Sequence, residues 1–451
     1  RLADVSRKAV QEAARRVLAS IYHLRLDENP GCALPCDAAR KSNQRTPEHL
    51  KLAEEAATGS VVLLKNDGVL PLDPKRFRTM AVLGPAAKAR DTMNTWGPGS
   101  PYSGGGSGHV AAPYVVTPLQ GIKERAHRAG MRILDDGSDT PEPEDSGGTP
   151  ADAVSELDLD VSDSAEAGAK TPAVPEPPQV YSKAMLQSLR VAEQADIVVA
   201  VAACTTTESK DRPSLALDDG ANELIQALVD LGKPVVVLME VPGSVLTPWR
   251  DGVAAAACLF YGGEVTGRAW ASVLFGDVSP TGKLPIALPA SEEGAIKPGT
   301  PEVPYTEDIF TSYRSASLKA AFPFGFGLTY TAFHLGQPIQ VVDACPTPAC
   351  VEMMVRNVGQ QAGSEVIQAY LVFDPLLKGP ALALRGFRRT RLLQPGDSEL
   401  VRFAFTARDL SSYVVGEGWR HQQWAVVRLG TSSKEQDLRL KTVVKACPWG
   451  C

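Results

Sequence analysis

The sequence predicts an α/β sandwich with a mostly parallel sheet, followed by a β-sandwich. Two observations predict it. Between residues 79 and 274, continuous apolar runs alternate with stretches of helical periodicity, the pattern of parallel strands covered by helices on both faces. From about Tyr330 onward the pattern changes to short β-rich runs separated by Gly/Pro/Asn turn signals, which indicates a sandwich of antiparallel sheets.

The elements follow in order. Leu2, Val5, Ala9, Val10, Ala13, Val17, Ile21 and Leu24 recur at helical spacing, so residues 3–26 form one amphipathic helix that Asn29-Pro30 stops. Thr46 is an N-cap with Pro47 at the first helical position, and that helix runs to about Thr58. The apolar run Val61–Leu64 and the turn at Asn66-Asp67-Gly68 come next. Met80–Leu83 is a short strand closed by Gly84-Pro85, Pro118–Ala129 a helix and Met131–Leu134 a strand. Ser182–Gln194 is helical. Ile197–Ala203, Pro234–Glu240 and Ala254–Tyr261 are strands, with helices at Asp219–Leu231 and Val265–Leu274. In the last region Val351–Val355, Glu365–Phe373, Leu400–Phe405 and Trp424–Leu429 are strands, divided by turns such as Asn357-Val358-Gly359 and Gln394-Pro395-Gly396. No internal repeat is visible.

Length and charge exclude several classes. At roughly 150 residues per domain, 451 residues give two to three domains. No apolar run approaches the ~20 residues of a membrane-spanning helix, so no membrane partner is expected. The net charge is −6 and there is no basic cluster, which argues against nucleic acid. Residues 135–166 hold twelve Asp/Glu and no Lys or Arg, so the rest of the chain carries +6 (−6 plus 12). That block lies in a Pro/Ser/Gly/Ala-rich run that cannot bury enough apolar surface to offset its ordering entropy. Residues 136–179 therefore read as a disordered acidic insertion.

Six of the eight cysteines form close pairs: Cys32/Cys36, Cys345/Cys350 and Cys447/Cys451. Beside Gly and Pro, such pairs suit small-loop disulfides and an oxidising compartment. Zinc is the rival, but these pairs lack the two-residue knuckles or nearby His of a tetrahedral site. Cys204 and Cys258 lie in apolar runs and read as reduced core residues. The expected location is secreted or extracellular, or a vacuolar or endomembrane lumen. No signal peptide stands at Arg1 and the chain begins in mid-helix, which reads as a fragment or a processed product.

Chemistry in a parallel sheet sits at the carboxyl ends of its strands. The loop after Ile197–Ala203 holds Glu208-Ser209-Lys210-Asp211-Arg212. A carboxyl group there, beside a cation and a second carboxylate, is a candidate general acid/base, although a solvated charged loop is the plainer reading. The run Gly104-Gly105-Gly106-Ser107-Gly108 lacks the Lys-Ser/Thr of a phosphate loop. It reads better as a loop whose backbone approaches another surface closely. Trp96, Tyr102 and His109 flank it and are candidate contacts to a sugar face, with loop packing as the alternative. No His/Cys/Asp/Glu cluster has metal spacing, so neither metal nor other cofactor is expected. No Gly-x-Ser-x-Gly elbow is present either.

Taken together these segments resemble glycoside hydrolase family 3, the β-glucosidase and β-xylosidase family. The resemblance rests on Leu52–Leu72 (LAEEAATGSVVLLKNDGVLPL), Ala81–Pro85 (AVLGP), Gly104–Ile122 (GGGSGHVAAPYVVTPLQGI) and Gly232–Trp249 (GKPVVVLMEVPGSVLTPW), in the family's order. Val273–Pro289 (VLFGDVSPTGKLPIALP), Val303–Arg314 (VPYTEDIFTSYR) and Phe322–Phe333 (FPFGFGLTYTAF) continue it. Val355–Tyr370 and Leu384–Phe387 (LRGF) are similar to the family's fibronectin type III-like domain.

The resemblance implies retaining hydrolysis of terminal β-D-glucosyl residues. A barrel-domain Asp would be the nucleophile and a second-domain Glu the acid/base. The family's acid/base motif looks like Glu-Gly-x-Asp-Arg, with which Glu208–Arg212 aligns. Glu208 would be the acid/base, and Asp211 and Arg212 would shape its loop. Three departures follow. Ser209 replaces the Gly, and Lys210 brings a cation that would lower the Glu208 pKa. Gly262-Gly263-Glu264-Val265 stands where the family has Gln-Glu-Gly-Gly. The nucleophile motif and the Lys-His pair of the barrel do not occur in this chain. Residues 1–30 would then be the terminal helix of a barrel that is otherwise missing, 46–292 the α/β sandwich, 293–329 a linker and 330–445 the fibronectin type III-like domain. The partners implied are a β-linked glucoside or oligosaccharide and a barrel supplied in cis or in trans, without which the chain would be inactive. The oligomeric state is open. The rivals are a non-catalytic sugar-binding or structural remnant of the same fold, a β-xylosidase, and a nucleotide-binding α/β protein.

Overall fold

A computed structural model describes residues 6–28, 36–37, 41–91, 97, 99–137, 181–296, 302–343, 345–374 and 379–445. They fall into two compact units, residues 1–52 and 53–451. In the first, α1 (Arg7–His23) is capped by Ser6, whose side chain accepts from Ala9 N. It is shorter at both ends than the periodicity suggested, and it buries no side chain. Val10, Val17, Leu18 and Tyr22 are exposed along it. Helix α2 (Pro47–Ser60) crosses into the second unit, where Ala53 and Ala57 pack against Val265 and Ala269.

The second unit opens with β1 (Val62–Asn66), β2 (Thr79–Leu83), α3 (Pro118–Arg128), β3 (Arg132–Leu134) and α4 (Lys183–Glu193). It continues with β4 (Ile197–Ala203), α5 (Ala221–Asp230), β5 (Val235–Glu240), β6 (Ala255–Leu259) and α6 (Thr266–Leu274). Among the described residues six strands form one sheet in the order β1-β6-β5-β4-β2-β3. All neighbours are parallel except β1, which runs antiparallel to β6 at the edge. The sheet explains the continuous apolar runs. Val198, Ala200, Ala202, Val235, Val237 and Met239 face the core beneath α4 and α5. Their neighbours Ile197, Val199, Val201, Val236 and Leu238 face the core beneath α3 and α6. With both faces covered, no polar alternation survives in β4 or β5.

The folded structure reaches further into the acidic run than the expected insertion of 136–179 allowed. Asp135 and Asp136 both pair with Lys88 Nζ, at 2.9 and 3.4 Å, and Asp136 also accepts from Ser188 Oγ. Asp136 therefore belongs to the folded edge of β3 and α4. The remainder of the expected insertion, 138–179, lies outside the described residues.

A short antiparallel pair, β7 (Leu288–Pro289) and β8 (Ala320–Phe322), leads to the sandwich. One sheet joins β9 (Phe333–Leu335), β10 (Ile339–Val341), β11 (Ala349–Asn357) and a later strand; the other is built around β12 (Val366–Val372) and β13 (Leu382–Arg389). β14 (Ser398–Phe405) pairs with β11, and after the hairpin β15 (Ser411–Val414) and β16 (Gly418–His421) the chain adds β17 (Trp424–Gly430) and β18 (Leu440–Lys445) beside β12. Val351, Met353, Val355, Ile367, Phe403 and Val427 fill the space between the sheets. Strands β13 and β18 were not distinguished in the sequence, because exposed Arg388, Arg389, Lys441 and Lys445 mask their apolar sides. Cys345 and Cys350 form a disulfide and Cys204 and Cys258 are free and buried. Cys32, Cys447 and Cys451 lie outside the described residues.

Helices α3 and α6 cross at two glycines. A Cβ on Gly121 would stand 2.2 Å from the carbonyl carbon of Gly267, and one on Gly267 would stand 2.0 Å from Thr117 O. Backbone lies on both sides of the contact, so neither can yield. Gly121→Ala should therefore destabilise the unit by about 3 kcal/mol despite the better helix propensity of alanine, read as a lower urea midpoint with an unchanged slope.

Candidate functional site

The parallel strands place their carboxyl ends side by side, and two long loops leave there. One follows β2 and contains the glycine run; the other follows β4 and contains Glu208. They are stitched together by backbone. Gly105 N donates to Thr206 O at 2.9 Å and Glu208 N donates to Gly105 O at 3.3 Å. The glycines allow the approach. A Cβ on Gly99 would meet Thr206 O at 2.5 Å, one on Gly105 would meet Thr207 Oγ1 at 2.6 Å, and one on Gly106, whose φ is +95°, would meet Glu208 Cβ at 2.3 Å. The glycine run thus serves close packing, as the sequence favoured over a phosphate cradle.

Glu208 is exposed, and its Oε2 accepts from Ser107 N at 2.7 Å and from Ser107 Oγ at 2.5 Å. These two hydrogen bonds hold its carboxyl below the usual glutamate range. The sequence suggested the same direction from Lys210, but the cause is Ser107. Ser209 has φ +65°, a region that costs a residue with a Cβ roughly 1 kcal/mol, which is the physical reason a glycine suits that position better.

The base of this loop is fixed. Arg212 Nη1 donates to Cys204 Sγ at 2.9 Å and Nη2 to Ser244 O at 2.7 Å. Asp218 Oδ2 accepts from Thr205 N and Thr205 Oγ1 at 2.7 and 2.8 Å, and Tyr261 OH donates to Cys204 O at 3.0 Å. Arg212 thus ties the loop to the ends of β4 and β5. Asp211 is exposed and makes no hydrogen bond or ion pair among the described residues.

The flanking aromatics separate. Tyr102 is 2% exposed and its hydroxyl donates to Ala89 O at 2.6 Å, so it is a packing residue and offers no face to a sugar. This corrects its assignment as a candidate contact; loops without periodicity hide which of their aromatics point inward. His109 is half-buried, with Nδ1 3.2 Å from Ser103 Oγ and 3.1 Å from Gly104 O. It braces the glycine run from within. Trp96 lies outside the described residues. The altered helix start at Gly262–Val265 is a single 3-10 turn, Gly263–Val265, in which Gly263 has φ +65° and donates to Tyr102 O at 3.2 Å.

Sequence reasoning missed three residues. Ser107 was read only as part of the glycine run. Asp91 clasps the same loop, accepting from Ser100 Oγ at 2.5 Å and Ala112 N at 2.9 Å. Glu240, the last residue of β5, is fully buried; one carboxyl oxygen accepts from Trp270 Nε1 at 3.0 Å and the other has no hydrogen-bond partner among the described residues. Its only sequence signal was a charge ending an apolar strand. Among the described residues no group of three or more His, Cys, Asp or Glu could hold a metal ion, and no helix is long and apolar enough to cross a membrane.

With this geometry in view, comparison with known proteins is specific. The model of the glycosyl hydrolase family 3 C-terminal domain matches residues 61–330, and that of a fibronectin type III-like domain matches residues 365–433. The chain belongs to glycosyl hydrolase family 3. It is 29% identical to a probable beta-glucosidase L of Emericella nidulans, over 97% of this chain and 59% of that protein. It is 29% identical to a beta-xylosidase of Formosa agariphila, over 96% of this chain and 55% of that protein. Among solved structures, beta-glucosidase 3B from Thermotoga neapolitana in complex with glycerol superposes with a TM-score of 0.71 at 27% identity, over 98% of this chain and 59% of that one. The chain thus spans a little over half the length of the relatives it matches.

Burial pushes the Glu240 carboxyl up to about 8, with Trp270 opposing it weakly. An unfolded glutamate ionises near 4.5, so the folded state holds the extra proton between those values and loses stability as pH rises through them, by about 1.4 kcal/mol per pH unit. Glu240→Gln keeps an acceptor for Trp270 and removes the titration. Chemical denaturation between pH 5 and 8 should show a smaller decline for the variant, which becomes the more stable protein at the alkaline end.

Proposed function

We propose that this chain is the acid/base-bearing part of a retaining β-glycosidase that removes terminal non-reducing β-D-glucosyl residues. Glu208 is the acid/base, Asp211 and Arg212 are its supporting residues, and an Asp on a (β/α) barrel outside these 451 residues is the nucleophile. Residues 1–30 are the tail of that barrel, 46–292 the α/β sandwich, 293–329 a linker and 330–445 the fibronectin type III-like domain. The observation that carries the reading is an exposed carboxylate at the carboxyl ends of the parallel sheet, on a loop whose base is pinned by Arg212 while its tip is held by Ser107. The names of the matched relatives support a glycosidase.

Double displacement needs two carboxylates about 5–5.5 Å apart. One attacks the anomeric carbon; the other gives its proton to the leaving oxygen and then takes one from water. Alone, Glu208 is held in the ionised form, which is the base. A second carboxylate opposite and the exclusion of water by a sugar both raise its pKa, so assembly of the cleft would convert it to the acid. The Cys345–Cys350 disulfide supports a secreted or luminal protein. A β-xylosidase is the second reading, favoured by the equal identity to the Formosa agariphila protein; parallel assays on aryl β-glucoside and aryl β-xyloside separate the two.

Two outcomes follow. Residues 1–451 alone should not turn over an aryl β-glucoside, and robust turnover would remove the divided-site reading. In a protein that also carries the barrel, Glu208→Gln should lower kcat/KM by about 100-fold or more for a substrate with a poor leaving group, and by much less for an activated aryl glucoside. Equal losses on both substrates, or none, would show that Glu208 does not deliver the proton.

A further inference from the structure

The β-sandwich carries a second cleft, which the function proposed above does not use. It has a volume of about 740 Å3 and lies between the outer face of the β12-β17-β18 sheet and the β15–β16 hairpin. Strand register builds its floor. Val372 stands opposite Val426, Val426 opposite Val443, and Trp424, two residues before Val426, shares that outer face. Trp424 is 58% exposed and Val443 55%, although both lie on a sheet whose other face is fully packed. The hairpin supplies a polar wall with Glu417, Arg420 and His421, and the connection into β17 adds Gln422 and Gln423. Tyr413 and Trp419, paired across the hairpin with centroids 5.4 Å apart, are not among the lining residues.

The chemistry of this lining is specific. An exposed indole on a flat apolar floor takes a ligand with a flat C–H face. Lys445 Nζ stands 5.5 Å from the Trp424 ring centroid; an indole face attracts polarised hydrogen, and the C–H groups of a pyranose are a weaker partner of the same kind as an ammonium. The wall offers planar amide, guanidinium and carboxylate groups, which pair with adjacent hydroxyls. Of the two wall amides, Gln423 is exposed and available to a ligand, whereas Gln422 Nε2 is buried and has no hydrogen-bond partner among the described residues. Glu417 and Arg420 form an ion pair, and the Asp374 carboxylate in the lining balances the Lys445 ammonium at the Trp424 ring, so the cleft carries no net charge. The ligand that matches is uncharged, ribbon-shaped and dense in hydroxyls. We propose that this cleft is a glycan-binding site for a β-linked gluco-oligosaccharide, separate from Glu208 and independent of its role. A β-1,4-linked chain lies flat on a sheet face, whereas an α-linked chain curves away from it.

The test is calorimetric titration of the 451-residue protein with cellotetraose, with maltotetraose as the curved comparison. Saturable binding of cellotetraose is expected, weakened about tenfold by Trp424→Ala and little changed by Trp424→Phe. Gln423→Ala, a change in an exposed wall residue, should weaken it several-fold and covers the case in which Trp424→Ala fails to fold. Absence of saturable binding to the wild-type protein would overturn the proposal. So would equal binding of the two sugars, or full affinity in folded Trp424→Ala. Because no readout involves hydrolysis, loss of the Glu208 assignment leaves this result standing, and the reverse also holds.

Discussion

The backbone contact between the glycine run and the Glu208 loop is the constraint on which the site depends. β2 and β4 are adjacent in the sheet, so their loops emerge side by side. Gly84, with φ +106°, turns the chain where a Cβ would stand 2.4 Å from Val201 O, and Gly106 lets Ser107 reach the carboxylate. Any side chain at Gly106 would displace Glu208 itself. Backbone sterics thus fix where the Glu208 carboxylate stands, the preorganisation that the proposed acid/base role requires.

The two glutamates near the ends of the parallel strands show how one sheet produces opposite chemistry. Glu208 is exposed, hydrogen-bonded and held in its ionised form. Glu240 is enclosed between the strands and Trp270, and burial favours its neutral form. Only the first can exchange a proton with a ligand. The second imposes a pH-dependent penalty on the fold, which its hydrogen bond from Trp270 Nε1 offsets in part.

Much of the architecture was legible because burial on both faces leaves a plain signature. Ile197–Ala203 is a strand with the bounds its apolar run gave, and the helix expected from Pro118 starts there, capped by Thr117, while the helix expected from Ser182 starts one residue later with Ser182 as its cap. The antiparallel direction of β1 was not legible, since a buried edge strand reads the same in either direction. In the site, the loop carrying Glu208 was found from its place after a buried strand. Ser107, Asp91 and the burial of Tyr102 were not, because hydrogen bonds between loops distant in sequence have no periodicity to reveal them. The β13 and β18 strands escaped because charged outer faces dilute a short alternating pattern.

The most direct test of the central contact is an NMR pH titration of the Glu208 carboxyl carbon, in the wild-type chain and in Ser107→Ala. The account predicts a midpoint below that of an ordinary glutamate in the wild type, moving up toward the ordinary value when the Ser107 hydroxyl is removed. An ordinary midpoint in the wild type, unmoved by the substitution, would contradict it.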